Sequence, residues 1–318
     1  MKHEQQRRMA FVLVFFKGMA MGAADLVPGV SGGTVAFIAG IYERLLAAIA
    51  ACTPGRLWSM LRGNLRESWQ AIDGTFLLVL LAGIFTSIAT LARLISYLLA
   101  EHPILIWSFF FGLILISIPL VGRTIERWNA WVVLMLGLGT ALAWLLGTSV
   151  PLQLEATYTV VFLGAAVAIC AMILPGVSGS FILLLLGLYA SVLGAVRDFD
   201  IGLIAVFLLG CIAGLLSFSR LLNYLLTHAR NVTLAFLTGL LVGSLAKVWP
   251  WKQTLSWREN SAGERVPLLQ SNVSPAEFAQ LNGEPAQWLA GLALMLAAVV
   301  LVYLLDYWGR RQSVEKAQ

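Results

Sequence analysis

Two short segments that combine glycine with hydroxyl side chains interrupt apolar parts of the chain. They read Pro-Gly-Val-Ser-Gly-Gly from Pro28 and Pro-Gly-Val-Ser-Gly-Ser from Pro175. Such a break leaves amide N–H groups of the following helix unpaired, and these groups attract an anion such as phosphate, as does the helix dipole. The residues predicted to bind an anionic substrate are Gly29, Ser31, Gly32, Gly33 and Thr34 at the first break, and Gly176, Ser178, Gly179 and Ser180 at the second. The alternative is a tight turn in which serine caps the helix and no ligand binds.

Two arginines within apolar stretches, Arg93 and Arg220, are further candidates for binding the anion. A charge inside a membrane is costly, which favours a functional role facing the protein interior. Guanidinium groups suit phosphate because they can donate two parallel hydrogen bonds to it. The alternative is that each arginine extends along the apolar surface to reach the lipid headgroups.

Three other charged residues, Lys17, Asp25 and Glu43, are candidates for ion coupling or charge balance. Asp25 lies just before Pro28, where it could carry a proton, ligate an ion such as sodium, or neutralise Lys17 or Arg93. Glu43 equally suits an ordinary solvated helix end.

Composition defines the broad class of the protein. Of the 318 residues, 59% are hydrophobic and 12% are charged, whereas soluble domains have about 45–50% and about 25%. Continuous apolar runs predict an all-α, polytopic helical membrane protein. The net charge of +5 comes from basic residues at segment ends, which points to membrane orientation rather than to nucleic acid. The three cysteines have no metal-binding spacing, and we expect neither a metal nor a cofactor.

The two breaks belong to a longer internal repeat. Pro28 aligns with Pro175 at an offset of 175 − 28 = 147, and Arg93 aligns with Arg220 at an offset of 220 − 93 = 127. Further aligned pairs are Gly40 with Gly187, Tyr42 with Tyr189, Gly83 with Gly210, and Gly112 with Gly239. Each half reads as a broken or re-entrant helical hairpin followed by three spanning helices. Because that gives an odd number of crossings, the second half is predicted to be inverted relative to the first.

The repeat defines two predicted units. The first, 1–150, holds a hairpin over 9–51 and helices over 75–99, 103–121 and 130–148. The second, 151–318, holds a hairpin over 157–196, helices over 201–226, 231–248 and 287–307, and an outer loop over 249–286. Hydropathy leaves open whether the hairpin arms cross the membrane fully. Most lysines and arginines fall on the side of the N-terminus, which predicts that both termini are cytoplasmic.

At these residues the chain resembles the bacterial polyprenyl-phosphate transporter family. The resemblance lies in Gly-Ala-Ala-Asp-Leu-Val-Pro-Gly-Val-Ser-Gly-Gly-Thr from Gly22, Gly-Ile-Tyr-Glu-Arg from Gly40 and Leu-Pro-Gly-Val-Ser-Gly-Ser from Leu174, and extends over about 10–307. It implies a flippase in the bacterial inner membrane that returns undecaprenyl phosphate from the outer to the inner leaflet. The lipid carrier for peptidoglycan and other glycans is thereby reused. The implied partners are undecaprenyl phosphate and membrane lipid, and a homo-oligomer is compatible with the sequence.

Two alternatives remain open. The first is a membrane-embedded polyprenyl-diphosphate phosphatase. A related Pro-Gly-x-Ser motif occurs in one such phosphatase family, but there arginine follows the serine, whereas this chain has Gly32 and Gly179. The histidines lie away from both breaks, which disfavours a histidine-dependent enzyme. The second alternative is a secondary transporter of a small anion.

Overall fold

The computed structural model describes residues 2–27, 29–259 and 265–315. Pro28, the start of the first break, therefore lies outside the described residues. The rest of that segment and all of the second break are described. Within these ranges the chain is helical except for one two-stranded sheet.

The helices and strands follow in this order. They are α1 (Lys2–Asp25), α2 (Gly32–Ile38), α3 (Tyr42–Ala51), α4 (Pro54–Leu61), α5 (Leu65–Ala71), α6 (Gly74–Glu101), α7 (Pro103–Gly122), α8 (Ala130–Thr148), α9 (Tyr158–Ile173), α10 (Gly179–Leu185), α11 (Tyr189–Arg197), α12 (Ile201–His228), α13 (Arg230–Ser244), β1 (Lys252–Glu259), β2 (Arg265–Asn272), α14 (Pro275–Asn282) and α15 (Trp288–Glu315).

Four helices of the described chain, α6, α7, α8 and α12, are long and apolar enough to cross a membrane. The number rises to six if each of two bent helix pairs counts as one span. These pairs are α2 with α3, bent by 117°, and α10 with α11, bent by 106°. The predicted spans of the first unit agree with α6, α7 and α8 to within two residues at each end.

The returning arm of each hairpin is not one continuous helix. It is interrupted at Gly40, with φ 68°, and at Gly187, with φ 76°. A backbone in this left-handed region suits glycine and ends a helix, so the chain turns sharply there. Each hairpin therefore consists of a long helix, a short helix that turns back, and a third helix that leaves at a steep angle.

Small residues allow the helices to approach closely. Gly83 of α6 lies against the backbone carbonyl of Phe15 on α1, and Gly210 of α12 lies against that of Phe162 on α9. A Cβ atom at either glycine would clash with the facing backbone. Close backbone contact of this type is a common way for membrane helices to associate. The pairs α7 with α15 and α8 with α13 also pack together.

The last helices of the two bent pairs, α3 and α11, lie at opposite ends of the bundle. Glu43 on α3 forms an ion pair with Arg230 at 2.8 Å, and Arg230 begins α13 directly after the end of α12. The last helix of the other pair, α11, connects through a short turn to Ile201, where α12 begins. Since α12 has 28 residues, these two ends are about 40 Å apart.

The segment predicted as an outer loop over 249–286 is structured where it is described. It contains the antiparallel strands β1 and β2 and the helix α14. A small core of its own holds it against α7 and α15: Ile104, Trp251, Val273 and Ala286. The segment between α3 and α6, at the other end of the bundle, carries α4 and α5.

Candidate functional site

The two breaks, far apart in sequence, are in direct contact. The Ser31 hydroxyl donates a hydrogen bond to the carbonyl of Met172 at 2.8 Å. The amide of Gly176 donates to the hydroxyl oxygen of Thr34, also at 2.8 Å. Gly33 lies so close to the end of α9 that a Cβ atom there would clash with the carbonyl oxygen of Ile173. The structure thus brings predicted residues of both segments to one place in the protein interior.

The amides at the start of α2 have partners within the chain. The Gly32 N–H donates to Oδ1 of Asp25 at 2.7 Å, and the Gly33 N–H donates to the Ser31 hydroxyl at 3.0 Å. The Asp25 carboxylate thus lies where an anion would bind at this helix terminus. Sequence reasoning predicted unpaired amides here. Phosphate binding by Gly32 and Gly33 remains a prediction that would require their present partners to move.

The second break has a different polar environment. Met172 occupies the position equivalent to Asp25 (172 − 147 = 25). Ser178 lies at the start of α10, and its side chain does not cap that helix. Instead, its hydroxyl is 3.0 Å from that of Ser180. The second break therefore has a methionine where the first has a carboxylate.

A small cavity of about 10 Å³, room for about one water molecule, lies beside the second break, and Lys247 reaches it from just beyond the end of α13. The cavity is lined by both breaks and by neighbouring parts of α8, α10 and α13. The side chain of Lys247 runs along Gly29, and its Nζ lies 4.1 Å from the ring centroid of Phe181, in a cation–π contact. Ser178 and Gly176 lie on the wall of the same cavity. An ammonium group, a hydroxyl and closely approaching backbone together suit an anion.

Lys247 was not among the predicted site residues. It lies inside the predicted helix 231–248, where a charge within the membrane is as costly as it is at Arg93 and Arg220. A second lysine adjoins it: Nζ of Lys252 donates to the carbonyl of Lys247 at 2.6 Å and lies 4.3 Å from the ring centroid of Trp107. Burial, and secondarily the charge of Lys247, lower the pKa of Lys252 to about 7.

Lys17 and Glu43 make contacts within the fold. The Nζ of Lys17 donates to the carbonyl of Ala39 at 2.6 Å, just beyond the end of α2. Glu43 is exposed and forms its ion pair with Arg230. Ion coupling through Lys17, Asp25 or Glu43 remains a prediction.

The two arginines predicted to bind phosphate are both exposed. Arg220 donates to the carbonyls of Cys52 at 3.1 Å and Ala50 at 3.4 Å, at the end of α3. Arg93 lies in the second half of α6. No hydrogen bond or ion pair in the described part of the chain joins either arginine to the breaks. Their role in binding phosphate remains a prediction.

Comparison with known proteins adds an independent result. Residues 21–266 match a family model described as undecaprenyl phosphate translocase-like. The chain is 55% identical over 305 residues to a protein named polyprenyl-phosphate transporter from Vibrio cholerae, covering 96% of this chain and 99% of the relative. It is 31% identical over 252 residues to a protein of the same name from Staphylococcus aureus, covering 74% and 84%. No solved structure matches the chain.

Proposed function

The chain belongs to the undecaprenyl phosphate translocase-like family. On that premise we propose that it returns undecaprenyl phosphate from the outer to the inner leaflet of the bacterial inner membrane. The chain is a multi-pass membrane protein. Its two relatives are both named transporters, which favours transport over the phosphatase alternative. The length and specificity of the match favour a lipid phosphate over a small soluble anion.

The observation that carries this proposal is the meeting of the two breaks at a cavity that contains Lys247. The cavity has room for about one water molecule, so the lipid phosphate is proposed to bind there once the two breaks move apart. Its charge then faces the ammonium group and the Ser178 hydroxyl. Gly29 and Gly176 both have positive φ. A Cβ atom at Gly29 would press on the Lys247 side chain, and one at Gly176 would clash with the Leu240 carbonyl, so both positions suit glycine. The isoprenoid tail stays in the lipid.

The inverted repeat is part of the proposal, and two equivalent contacts support it. Gly83 faces the carbonyl of Phe15, and Gly210 faces that of Phe162. These contacts are related by the two sequence offsets, because 210 − 83 = 127 and 162 − 15 = 147. Gly112 faces Met295 and Gly239 faces Leu136. The glycines are again 127 apart, whereas their partners are 295 − 136 = 159 apart because the 249–286 segment precedes α15. The positions of α3 and α11 at opposite ends of the bundle fit the same arrangement.

The orientation in the membrane is also proposed. The end that carries α4 and α5 includes Arg56, Arg62 and Arg66, which favours a cytoplasmic position for this end and for both termini. The β1–β2 segment then faces the outside. A proton or sodium ion is proposed to couple through Asp25, whose carboxylate accepts a hydrogen bond from the Gly32 amide at the first break.

The proposal is tested by measuring lipid movement in vesicles. Purified protein is reconstituted with a fluorescent polyprenyl phosphate, and a membrane-impermeant quencher reports the lipid in the outer leaflet. Lys247→Gln should slow exchange about tenfold or more. Arg197→Gln, a matched change at an exposed residue of α11 paired with Asp198, should leave exchange unchanged. Wild-type exchange by correctly inserted Lys247→Gln protein would overturn the assigned site. Release of inorganic phosphate from undecaprenyl diphosphate by the purified protein would favour the phosphatase.

A further inference from the structure

A groove of about 450 Å³ lies between α3 and the last two turns of α12, away from the two breaks. Its wall on α3 consists of small apolar residues, Ala47, Ala50 and Ala51. The opposite wall is polar and comes from one face of α12, since Arg220, Asn223 and Thr227 are spaced by three and four residues. The groove is open to the surface, and its described lining includes no acidic residue.

Arg220 lines the groove, and Arg56 lies beside that lining at the end of α3, where its guanidinium contacts the carbonyl of a lining residue. Arg220 donates through Nη2 to the carbonyl of Cys52 at 3.1 Å, and Arg56 donates through Nη1 to that of Ala51 at 2.9 Å. The carbonyl groups carry the negative end of the α3 dipole, so these bonds hold both cations in place. Each guanidinium has five N–H donors, and most of them are left for a ligand.

His228 adds a further polar group to the lining of the groove. Its ring stacks on Tyr224, with centroids 4.1 Å apart. Its Nδ1 lies 2.9 Å from the hydroxyl of Thr227 and 3.0 Å from the carbonyl of Tyr224. Because a carbonyl oxygen only accepts, Nδ1 is the donor to Tyr224, and Nε2 of the neutral ring is then an acceptor. The polar wall therefore presents guanidinium, imidazole and amide groups beside an apolar wall of alanines.

We propose that this groove is a second binding site, specific for a phosphomonoester headgroup carried on a lipid tail. The phosphate contacts Arg220 and Arg56, and the first carbons of the tail lie against the alanines of α3. The site is separate from the Lys247 cavity. Its assignment to the lipid on the cytoplasmic side rests on the proposed function. Its preference for a phosphomonoester with a tail rests on the two guanidinium groups beside an apolar wall of alanines.

The experiment counts ligands bound to the full-length protein by native mass spectrometry in detergent, with farnesyl phosphate as the probe. The wild type should bind two molecules. The double variant Arg56→Gln, Arg220→Gln should bind one, with the second at least about tenfold weaker. Arg62→Gln, a matched change of an exposed arginine that lies over Trp58, should still bind two. Two molecules bound with unchanged affinity to the double variant would overturn the groove site.

Other ligands test the specificity of the groove. Farnesol, which lacks the phosphate, should bind more weakly than farnesyl phosphate. Equal binding of phosphatidylglycerol or of inorganic phosphate would overturn specificity for a phosphomonoester lipid.

Further variants separate the groove from the transport site. If the double variant does not fold, Ala50→Leu, which fills the groove and keeps both arginines, should also remove one bound molecule. Lys247→Gln should lose the other molecule. A protein that keeps both molecules after Lys247→Gln but loses one after Arg56→Gln, Arg220→Gln would contradict the proposed transport site and support the groove.

Discussion

Lys17 and Asp25, two residues of the same helix, hold opposite ends of α2. Asp25 accepts a hydrogen bond from the Gly32 amide at the start of α2, and Lys17 donates to the carbonyl of Ala39 just beyond its end. The two residues are eight positions apart on α1 (25 − 17 = 8), a separation of about 12 Å along the helix. The negative charge meets the positive end of the α2 dipole, and the positive charge meets its negative end.

We expect loss of either charge to loosen α2. Asp25→Asn and Lys17→Met should each lower the free energy of unfolding by about 1–3 kcal/mol, because a charge-assisted hydrogen bond in the protein interior is weakened or lost. Thermal unfolding in detergent measures the effect. Glu43→Gln, which removes an exposed ion pair, should cost less than about 1 kcal/mol. An Asp25→Asn variant of unchanged stability that no longer transports would instead indicate a role in ion coupling.

The contact between the two breaks gives a second prediction. Gly33→Ala places a methyl group against the carbonyl of Ile173, so the breaks must separate. We expect a loss of about 1–3 kcal/mol in stability and slower transport in the vesicle assay. Gly194→Ala, in α11 where nothing lies within 4 Å of the added methyl, is the control and should stabilise its helix slightly. Equal behaviour of the two variants would show that the breaks need not touch.

Much of this fold follows from the sequence, because apolar run length and proline-glycine breaks report directly on membrane helices. The bounds of α6, α7 and α8 are examples. The steep bends after α2 and α10 were not predicted, since hydropathy does not distinguish a continuous helix from one turned at Gly40 or Gly187. The strands β1 and β2 were missed because they lie in a polar segment between spans.

The candidate site was predictable at the two breaks and not around them. Glycine and serine in repeated segments identified both turns, and the predicted inverted repeat favoured a meeting of the two. The Gly32 amide has a partner because the Asp25 side chain points toward it. The packing of α1 against α2 sets that direction, and the sequence does not show it. Lys247 has no counterpart in the repeat argument, and only the position of α13 beside the first break brings it to Gly29.

The difference between the breaks leads to a third prediction. Met172 stands beside Gly179 as Asp25 stands beside Gly32, with the Cβ of Met172 3.2 Å from where a Cβ of Gly179 would lie. Met172→Asp should therefore place a carboxylate at the second break, close to the cavity. We expect it to repel the lipid phosphate and to slow transport about tenfold. Met172→Leu keeps the apolar volume and should transport normally. A fully active Met172→Asp variant would show that phosphate does not approach this break.

Lys252 gives a prediction about pH. Burial and the charge of Lys247 lower its pKa to about 7 in the folded protein, whereas an unfolded chain keeps the ordinary lysine value of about 10.4. Between these two values the unfolded state binds more protons, so the contribution of Lys252 to stability rises with pH from about 7 upward. The unfolding temperature of the wild type should therefore rise more between pH 7 and pH 9, values chosen to lie in this interval, than that of Lys252→Met. Because all other groups are shared, the difference between the two proteins isolates this lysine. An equal pH response in both would mean that the amine is solvated and keeps its ordinary pKa.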